Sequence, residues 1–361
     1  MLLIAAAAFL FLVVVANALF WPRVGGSGAR PGSGPAHLVS ILIPARNEEA
    51  NIAKCIQRAS EQGPSVHEIL IYDDHSEDRT AAIVNEASQR DPRIRLIDPA
   101  PLPADWCGKN FACSRLAANA TGDWLLFLDA DARLAPGAVD AMTNSATSRR
   151  LTLLSCWPGF DLRSFAEKML MPMLNSVVFT IFPAPLSLIR NEPSLGLAHG
   201  ACLLIQRAAY EKLGGHALVK GEIFEDTRLA QIWRSHGERS LCLDGQDVIR
   251  VRMYAGLSEI WLGFQKNFFP AFRHQAMFWL FLAFRFTVFL LPFLIFNWPA
   301  ALLIVLARLV LALRFGQPWW SALLQPLAEV FLLGLGVSSW WQCRLGSGVV
   351  WKGRVYRARR V

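Results

Sequence analysis

No two of the seven cysteines, at positions 55, 107, 113, 156, 202, 242 and 343, stand in a CxxC spacing. That excludes a zinc ribbon and a disulfide framework, and reads instead as reduced, mostly packed thiols. Charge is missing in two further places. Residues 1–22 carry no charged side chain, and residues 276–341 hold only Arg285, Arg308, Arg314 and Glu329. Both stretches are long enough to span a bilayer, which rules out an ordinary soluble chain. Acidic residues are absent from 342–361, where Arg344, Lys352, Arg354, Arg357, Arg359 and Arg360 cluster. The net charge of +8 therefore belongs at an anionic membrane surface, with no nucleic acid as partner, and such a cluster tends to stay cytoplasmic.

What is present between these ends, residues 38–250, has the mixed composition of a globular domain. The expected order is an uncleaved anchor at 1–21, a flexible basic linker at 22–37, the 38–250 domain, an amphipathic interfacial segment at 251–275, transmembrane or re-entrant helices at 276–341, and the basic tail 342–361. Ala16-Asn17-Ala18 resembles a signal-peptidase site, but no basic region precedes it. The last apolar region divides into 276–297, 298–315 and 318–341. Three full spans would carry the basic tail outside, so one is expected to be re-entrant or interfacial, either the Pro326/Glu329 stretch or 298–315.

Within the domain, short apolar runs alternate with helical patterns. Strands are expected at Val39–Ile43, Glu68–Tyr72, Arg95–Ile97, Trp124–Leu128, Leu151–Cys156, Ala201–Ile205 and Ser240–Leu243. Helices are expected at Glu48–Glu61, Arg79–Ala87, Phe111–Ala120, Pro136–Thr147 and Arg207–Leu213, with another opening at Glu225-Asp226. This alternation predicts an α/β fold with a mostly parallel sheet. Polar clusters at 44–49, 73–78 and 129–131 each follow a strand and so converge on one sheet edge, where such sheets bind ligands. Residues 165–190, apolar with prolines at 172, 183 and 185, read either as a buried crossover or as a lip on the bilayer. Met253, Tyr254, Trp261 and Phe264 could line an acceptor entrance or simply anchor an interfacial helix.

Asp129-Ala130-Asp131 ends an apolar strand with two carboxylates side by side. These are either solvated turn residues or oxygen ligands for Mg2+ or Mn2+ shared with phosphates of a substrate. Arg46, Asn47 and Glu48 at the first strand's mouth offer a cation, an amide and a carboxylate suited to a nucleotide. Asp73 and Asp74 end the second strand, one facing base or ribose and the other capping the turn. Lys109, on a loop leading into a helix, could meet a diphosphate. Asp226 sits at a helix start, where exposed N–H groups favour a carboxylate. His75, His199, His216 and His236 match no metal pattern and read as core, loop or surface residues.

The segments VSILIPARNEEANI, EILIYDDHSEDRT, LFLDADARLAPGA and FEDTRLA, in this order, resemble glycosyltransferase family 2, with the nucleotide-binding fold called GT-A. LPADWCGKNFAC, RMYAGLSEIWLGFQKN and WKGRVY are similar to the membrane-associated branch of diaponeurosporenoate (carotenoid) and hopanoid-associated glycosyltransferases. The resemblance implies that Pro44, Ala45 and Glu48 line a uridine site, that Asp129 lies near ribose and pyrophosphate, and that Asp131 coordinates the metal. It implies Asp226 as general base in an inverting transfer from a nucleotide sugar to a lipid or isoprenoid acceptor. Polysaccharide synthases usually add a QxxRW-type motif, and no Arg-Trp pair follows Asp226 in the globular region. A polyprenyl-phosphate sugar synthase stays open as an alternative, as does a noncatalytic membrane scaffold.

Overall fold

A computed structural model of the chain describes residues 1–25, 37–346, 349–351 and 354–356. Most of the expected linker (26–36), together with Lys352 and residues 357–361 of the basic tail, lies outside the described residues. The chain divides into two compact units, one of Pro22–Gly159 and Ser187–Arg252, the other of Met1–Trp21, Phe160–Leu186 and Met253–Val361.

The first unit is built on strands β1 (Val39–Ala45), β2 (Val66–Asp73), β3 (Ile94–Ile97), β4 (Trp124–Leu128), β5 (Ala132–Leu134), β6 (Leu153–Trp157), β7 (Cys202–Gln206), β8 (Ser240–Asp244) and β9 (Ile249–Val251). Seven of them form one sheet in the order β3-β2-β1-β4-β7-β6-β8. The sheet is mixed: β7 runs antiparallel to both β4 and β6, while the other neighbours are parallel. Residues of β1, β4 and β6 are buried almost without a break, because helices cover both sheet faces and leave no side for polar alternation. On one face Leu42, Leu70, Leu125, Phe127 and Leu203 pack with Ala112, Cys113 and Leu116 of the helix Gly108–Asn119 and Trp233 of the helix Glu225–Ser235. Strands β5 and β9 form a short antiparallel pair.

At the starting edge of the sheet, buried Glu68 binds four donors. Ser40 Oγ and Thr121 N each donate at 2.7 Å, Thr121 Oγ1 and Arg95 Nη2 at 2.8 Å. Burial alone would raise its pKa, but these hydrogen bonds hold the carboxyl below its usual range.

Two helices begin elsewhere than expected. The first runs Ile52–Ser60 rather than from Glu48, because residues 46–51 are tied into a loop described below. The helix expected from Phe111 begins at Gly108, so Lys109 lies in its first turn and not on the preceding loop.

In the second unit, Leu2–Phe20 and Gln275–Leu294 are long and apolar enough to cross a membrane. The latter contains a π turn at Phe286–Leu290. The remaining apolar stretches form Trp298–Arg314 and Gln325–Arg344. Residues 165–190 form three short helices, Phe165–Leu170, Pro172–Phe179 and Ala184–Ile189, with Pro172 opening its helix where a missing N–H costs nothing. Asn17 of the first helix ties into them. Its Nδ2 donates to the carbonyls of Phe179 and Phe182, each at 2.8 Å, and its Oδ1 accepts from Ala184 N at 2.9 Å. Ala7 and Leu10 pack with Val288, Phe289, Ala300 and Ile304.

Candidate active site

Strand order reverses between β1 and β4, and the polar loops converge at that edge. The β1–β2 register places Pro44 beside Tyr72 and Ala45 beside Asp73. Asp74 N donates to Ala45 O at 2.8 Å, and Arg46 Nη1 donates to the carbonyls of Asp74 and His75. Here the Arg46 guanidinium holds backbone, a task its expected role as a nucleotide-facing cation did not include. The loop after β1 is stitched to the loop after β2 through backbone N–H groups and side chains. Asn47 N donates to Ser76 Oγ and Glu48 N to Thr80 Oγ1, each at 2.8 Å. Glu49 N donates to Asp78 Oδ2 at 3.0 Å, and Glu77 N to Asn47 Oδ1 at 2.9 Å. Arg79 N donates to Glu49 Oε2 at 3.2 Å. Asn47 and His75 take left-handed backbone, with φ of 52° and 56°, a conformation that Asn and His accept more readily than most residues. Asp73 and Asp74 are both buried; the Asp73 carboxylate accepts from Ser76 N at 3.3 Å and from the Ser76 hydroxyl.

Strand β4 leads into a tight turn in which Ala132 N donates to Asp129 O at 3.0 Å, while Asp129 N donates to Ala201 O at 3.1 Å. Arg133 wraps this turn: Nη1 donates to Ala130 O at 3.1 Å and Ala132 O at 2.8 Å, and Nη2 to Asn51 Oδ1 at 3.1 Å. Asn51 Nδ2 in turn donates to Glu48 Oε2 at 3.0 Å. A continuous polar chain therefore joins the β1 loop to the Asp129–Asp131 turn. Beneath it, the Cys55 thiol faces Asp129 O at 3.7 Å. Burial, with Asp131, Asp129 and Glu48 nearby and only Arg133 opposing, pushes Cys55 up to about 12, so its thiol stays protonated near neutral pH.

Lys109 bridges the two acidic motifs. Its Nζ lies 2.9 Å from Asp129 Oδ1 and 3.1 Å from Glu225 Oε1. Burial works against the ammonium, but these carboxylates hold its pKa well above the usual lysine value. Asp226 and Lys109 border the same space beside Gly200: a Cβ on Gly200 would stand 3.0 Å from Lys109 Nζ and 3.2 Å from Asp226 Oδ2. Burial first, then the adjacent Glu225 charge, raise Asp226 to about 7, while hydrogen bonds from the Thr227 and Gly200 N–H groups and the charge of Lys109 restrain the shift. Thr227 fixes the approach by donating to Ala198 O at 3.0 Å and accepting from Ala198 N at 3.2 Å. His199 is buried, packs edge-on to Trp157 and accepts from Ala201 N. Burial lowers it to about 4, with Asp129 opposing and Lys109 assisting, so its ring is neutral.

The structure thus gathers Lys109, Asp129, Glu225 and Asp226 in one place, with Asp131 ending the same turn as Asp129. It sets Arg46, Glu48, Asp73 and Asp74 in the adjoining stitched loops. Sequence reasoning missed Asn51, Arg133, Gly200 and Thr227, and treated Glu225 only as the neighbour of Asp226. Among the described residues, no group of three or more His, Cys, Asp or Glu side chains could hold a metal alone. Two hard carboxylates in one turn fit Mg2+ or Mn2+ shared with phosphate oxygens rather than a closed protein cage.

Residues 40–214 match Glycosyl transferase family 2. A 4,4'-diaponeurosporenoate glycosyltransferase of Staphylococcus haemolyticus (strain JCSC1435) is 29% identical over 233 residues, 63% of this chain and 60% of that protein. The match thus spans less than two thirds of that relative. Its counterpart from Staphylococcus aureus (strain MRSA252) is 26% identical over 340 residues, 88% of each chain. Mannosyltransferase PcManGT from Pyrobaculum calidifontis, solved in complex with GDP-Man and Mn2+, shares the fold, with a TM-score of 0.53 at 17% identity over 94% of this chain and 98% of that one. The matched region takes in β1, β2 and β4 with the polar loops that follow them; over it the chain is similar to glycosyltransferase family 2, and the sugar-transfer unit has the GT-A fold.

Proposed function

We propose that this enzyme transfers one sugar from a nucleotide sugar, a UDP-sugar by its motifs, to a lipid or isoprenoid acceptor, with divalent-metal dependence and inversion at the anomeric carbon. The observation that carries the reading is the placement of Asp226, raised to about 7, in the space beside Gly200 that it shares with a lysine that touches Asp129. The curated relatives, named as diaponeurosporenoate glycosyltransferases, support an isoprenoid acceptor.

In this mechanism Pro44, Ala45, Arg46, Glu48, Asp73 and Asp74 cradle the nucleoside. Asp131, with Asp129, would hold Mg2+ or Mn2+, which when bound neutralises negative charge on the departing diphosphate. Lys109 places an ammonium beside the same phosphates. Asp226 takes the proton of an acceptor hydroxyl as its oxygen bonds to the anomeric carbon and the bond to the diphosphate breaks. A base near 7 suits that task at neutral pH. One base and one leaving-group site require no covalent sugar–enzyme intermediate.

Membrane attachment completes the reading. Leu2–Phe20 and Gln275–Leu294 are proposed as spans, the sugar-transfer unit as cytoplasmic, and the basic 342–361 tail as a contact for anionic lipid. The three Asn17 hydrogen bonds to residues 179–184 favour a retained first helix over a cleaved signal. An acceptor kept in the bilayer avoids exposing hydrocarbon to water at roughly 0.8 kcal/mol per CH2.

The decisive experiment assays Asp131→Asn and Asp226→Asn for sugar release from nucleotide donors with membrane lipid extract, alongside mass spectrometry of lipids from cells with and without the protein. A singly glycosylated lipid and losses of roughly 10²–10⁴-fold for a hydroxyl acceptor are expected. Wild-type turnover in both folded variants, or a repeating sugar polymer as product, would overturn the proposal.

A further inference from the structure

The helical unit buries two arginines against one carboxylate. Arg285 and Glu329 are 0% exposed and Arg308 is 3% exposed. Arg285 grips Glu329 with its Nε and Nη2 edge: Nε donates to Oε1 at 2.8 Å and Nη2 donates to Oε2. Gln325 Nε2 adds a bond to Glu329 Oε2 at 3.0 Å, and the Arg285 guanidinium lies 3.8 Å over the Phe289 ring. Both oxygens of Glu329 are thus engaged.

Arg308 lies within electrostatic reach of both members of this pair but touches neither through a hydrogen bond. It uses only Nη1, on the carbonyl of Pro172 at 2.6 Å. Its Nε and Nη2, the same fork that Arg285 closes on a carboxylate, are buried with no hydrogen-bond partner. Arg285 Nη1 is likewise unpartnered, as is the hydroxyl of Ser321, fully buried in the short turn Trp319–Ala322 that packs against the helix of Arg308. Among the described residues, two buried cations face one anion here, and the Nε/Nη2 edge of Arg308 is enclosed without a hydrogen-bond partner. An unpaired buried charge is costly, and a guanidinium fork matches two oxygens of a carboxylate or phosphate.

We propose that the Nε/Nη2 edge of Arg308 is a binding site for an oxyanion, a carboxylate or a phosphate, inside the helical unit. The inference is independent of sugar transfer. The same chemistry can come from the head group of an amphiphile or from a free anion, and the two are separable by experiment.

The full-length chain in an uncharged detergent is heated with inorganic phosphate, with dodecyl phosphate, or with extra dodecyl maltoside as the neutral control, for wild type, Arg308→Lys and Arg308→Met. The wild-type Tm should rise with a phosphate ligand and not with the maltoside. Arg308→Lys keeps a charge without the fork and should weaken the apparent affinity at least about tenfold; Arg308→Met should abolish the response. A rise with inorganic phosphate identifies a free-anion site, and a rise with dodecyl phosphate alone a head-group site. An equal response in all three proteins, or none in the wild type, overturns the proposal. If neither variant folds, native mass spectrometry of the wild type decides: a single dodecyl phosphate retained per chain supports the site, and no retained ligand rejects it.

Discussion

Arg133 and Asn51, 82 residues apart in the chain, meet at 3.1 Å, and through them the Asp129–Asp131 turn is tied to Glu48 at the mouth of β1. Removing this link should loosen the Asp129–Asp131 turn, the proposed metal position, relative to the loops after β1 and β2, the proposed nucleoside position, without touching Asp226. Arg133→Ala is expected to raise the KM for the nucleotide sugar about 5–30-fold, the equivalent of one or two lost hydrogen bonds, with a smaller change in kcat. Steady-state kinetics over a donor series checks this; an unchanged KM would show that the link does not position the donor.

The pH profile should report Asp226. Its pKa stands near 7, raised by burial and then by Glu225, so its base form is lost as pH falls through that value. With a hydroxyl acceptor, kcat should therefore climb from acid toward neutral pH and level above it. Glu225→Gln removes the like charge and should move the rise to lower pH. If the attacked group is a carboxylate, already ionised near neutrality, the rise should be shallow and Asp226→Asn should keep partial activity.

Lys109 and Asp226 share the space left by the missing side chain of Gly200, and a methyl group there meets the flexible end of Lys109 at 3.0 Å and Asp226 Oδ2 at 3.2 Å. Gly200→Ala is expected to fold, because the crowded neighbours are side-chain tips, yet to lose about tenfold to a hundredfold in kcat through misplacement of the acting groups. Thermal melting beside single-turnover rates separates the two effects. Full activity would place the transfer chemistry elsewhere.

At the opposite edge of the sheet, Glu68 should govern acid stability. Its folded-state pKa lies below the ordinary value of 4.5, so its contribution is complete above that value and is lost as pH falls through the folded-state pKa. Glu68→Gln should therefore cost about 1–3 kcal/mol at neutral pH, and the gap to wild type should narrow in acid. Urea unfolding of both proteins across that range measures it.

The loops after β1, β2 and β4 were legible because each follows an uninterrupted apolar run, which signals a strand buried on both faces and hence a shared ligand edge. Direction was not legible. Cys202–Gln206 reads as one more apolar strand, but it runs antiparallel, so its beginning and not its end reaches the site. That is how His199 and Gly200, which precede it, come to lie against Lys109 and Asp226. Asn51 and Arg133 looked like any polar surface residues, since their role depends on a contact across 82 positions. The raised pKa of Asp226 depends on burial, which a helix-start motif does not disclose.

The paired loops at 46–49 and 74–80 carry a consequence for local dynamics. The amide hydrogens of Asn47, Glu48, Glu49, Glu77 and Arg79 all end on side-chain oxygens of the opposite loop, so each is held back from exchange while the two loops stay together. These irregular segments should behave in deuterium exchange as a single slow unit, closer in protection to the strands they follow than to ordinary surface turns.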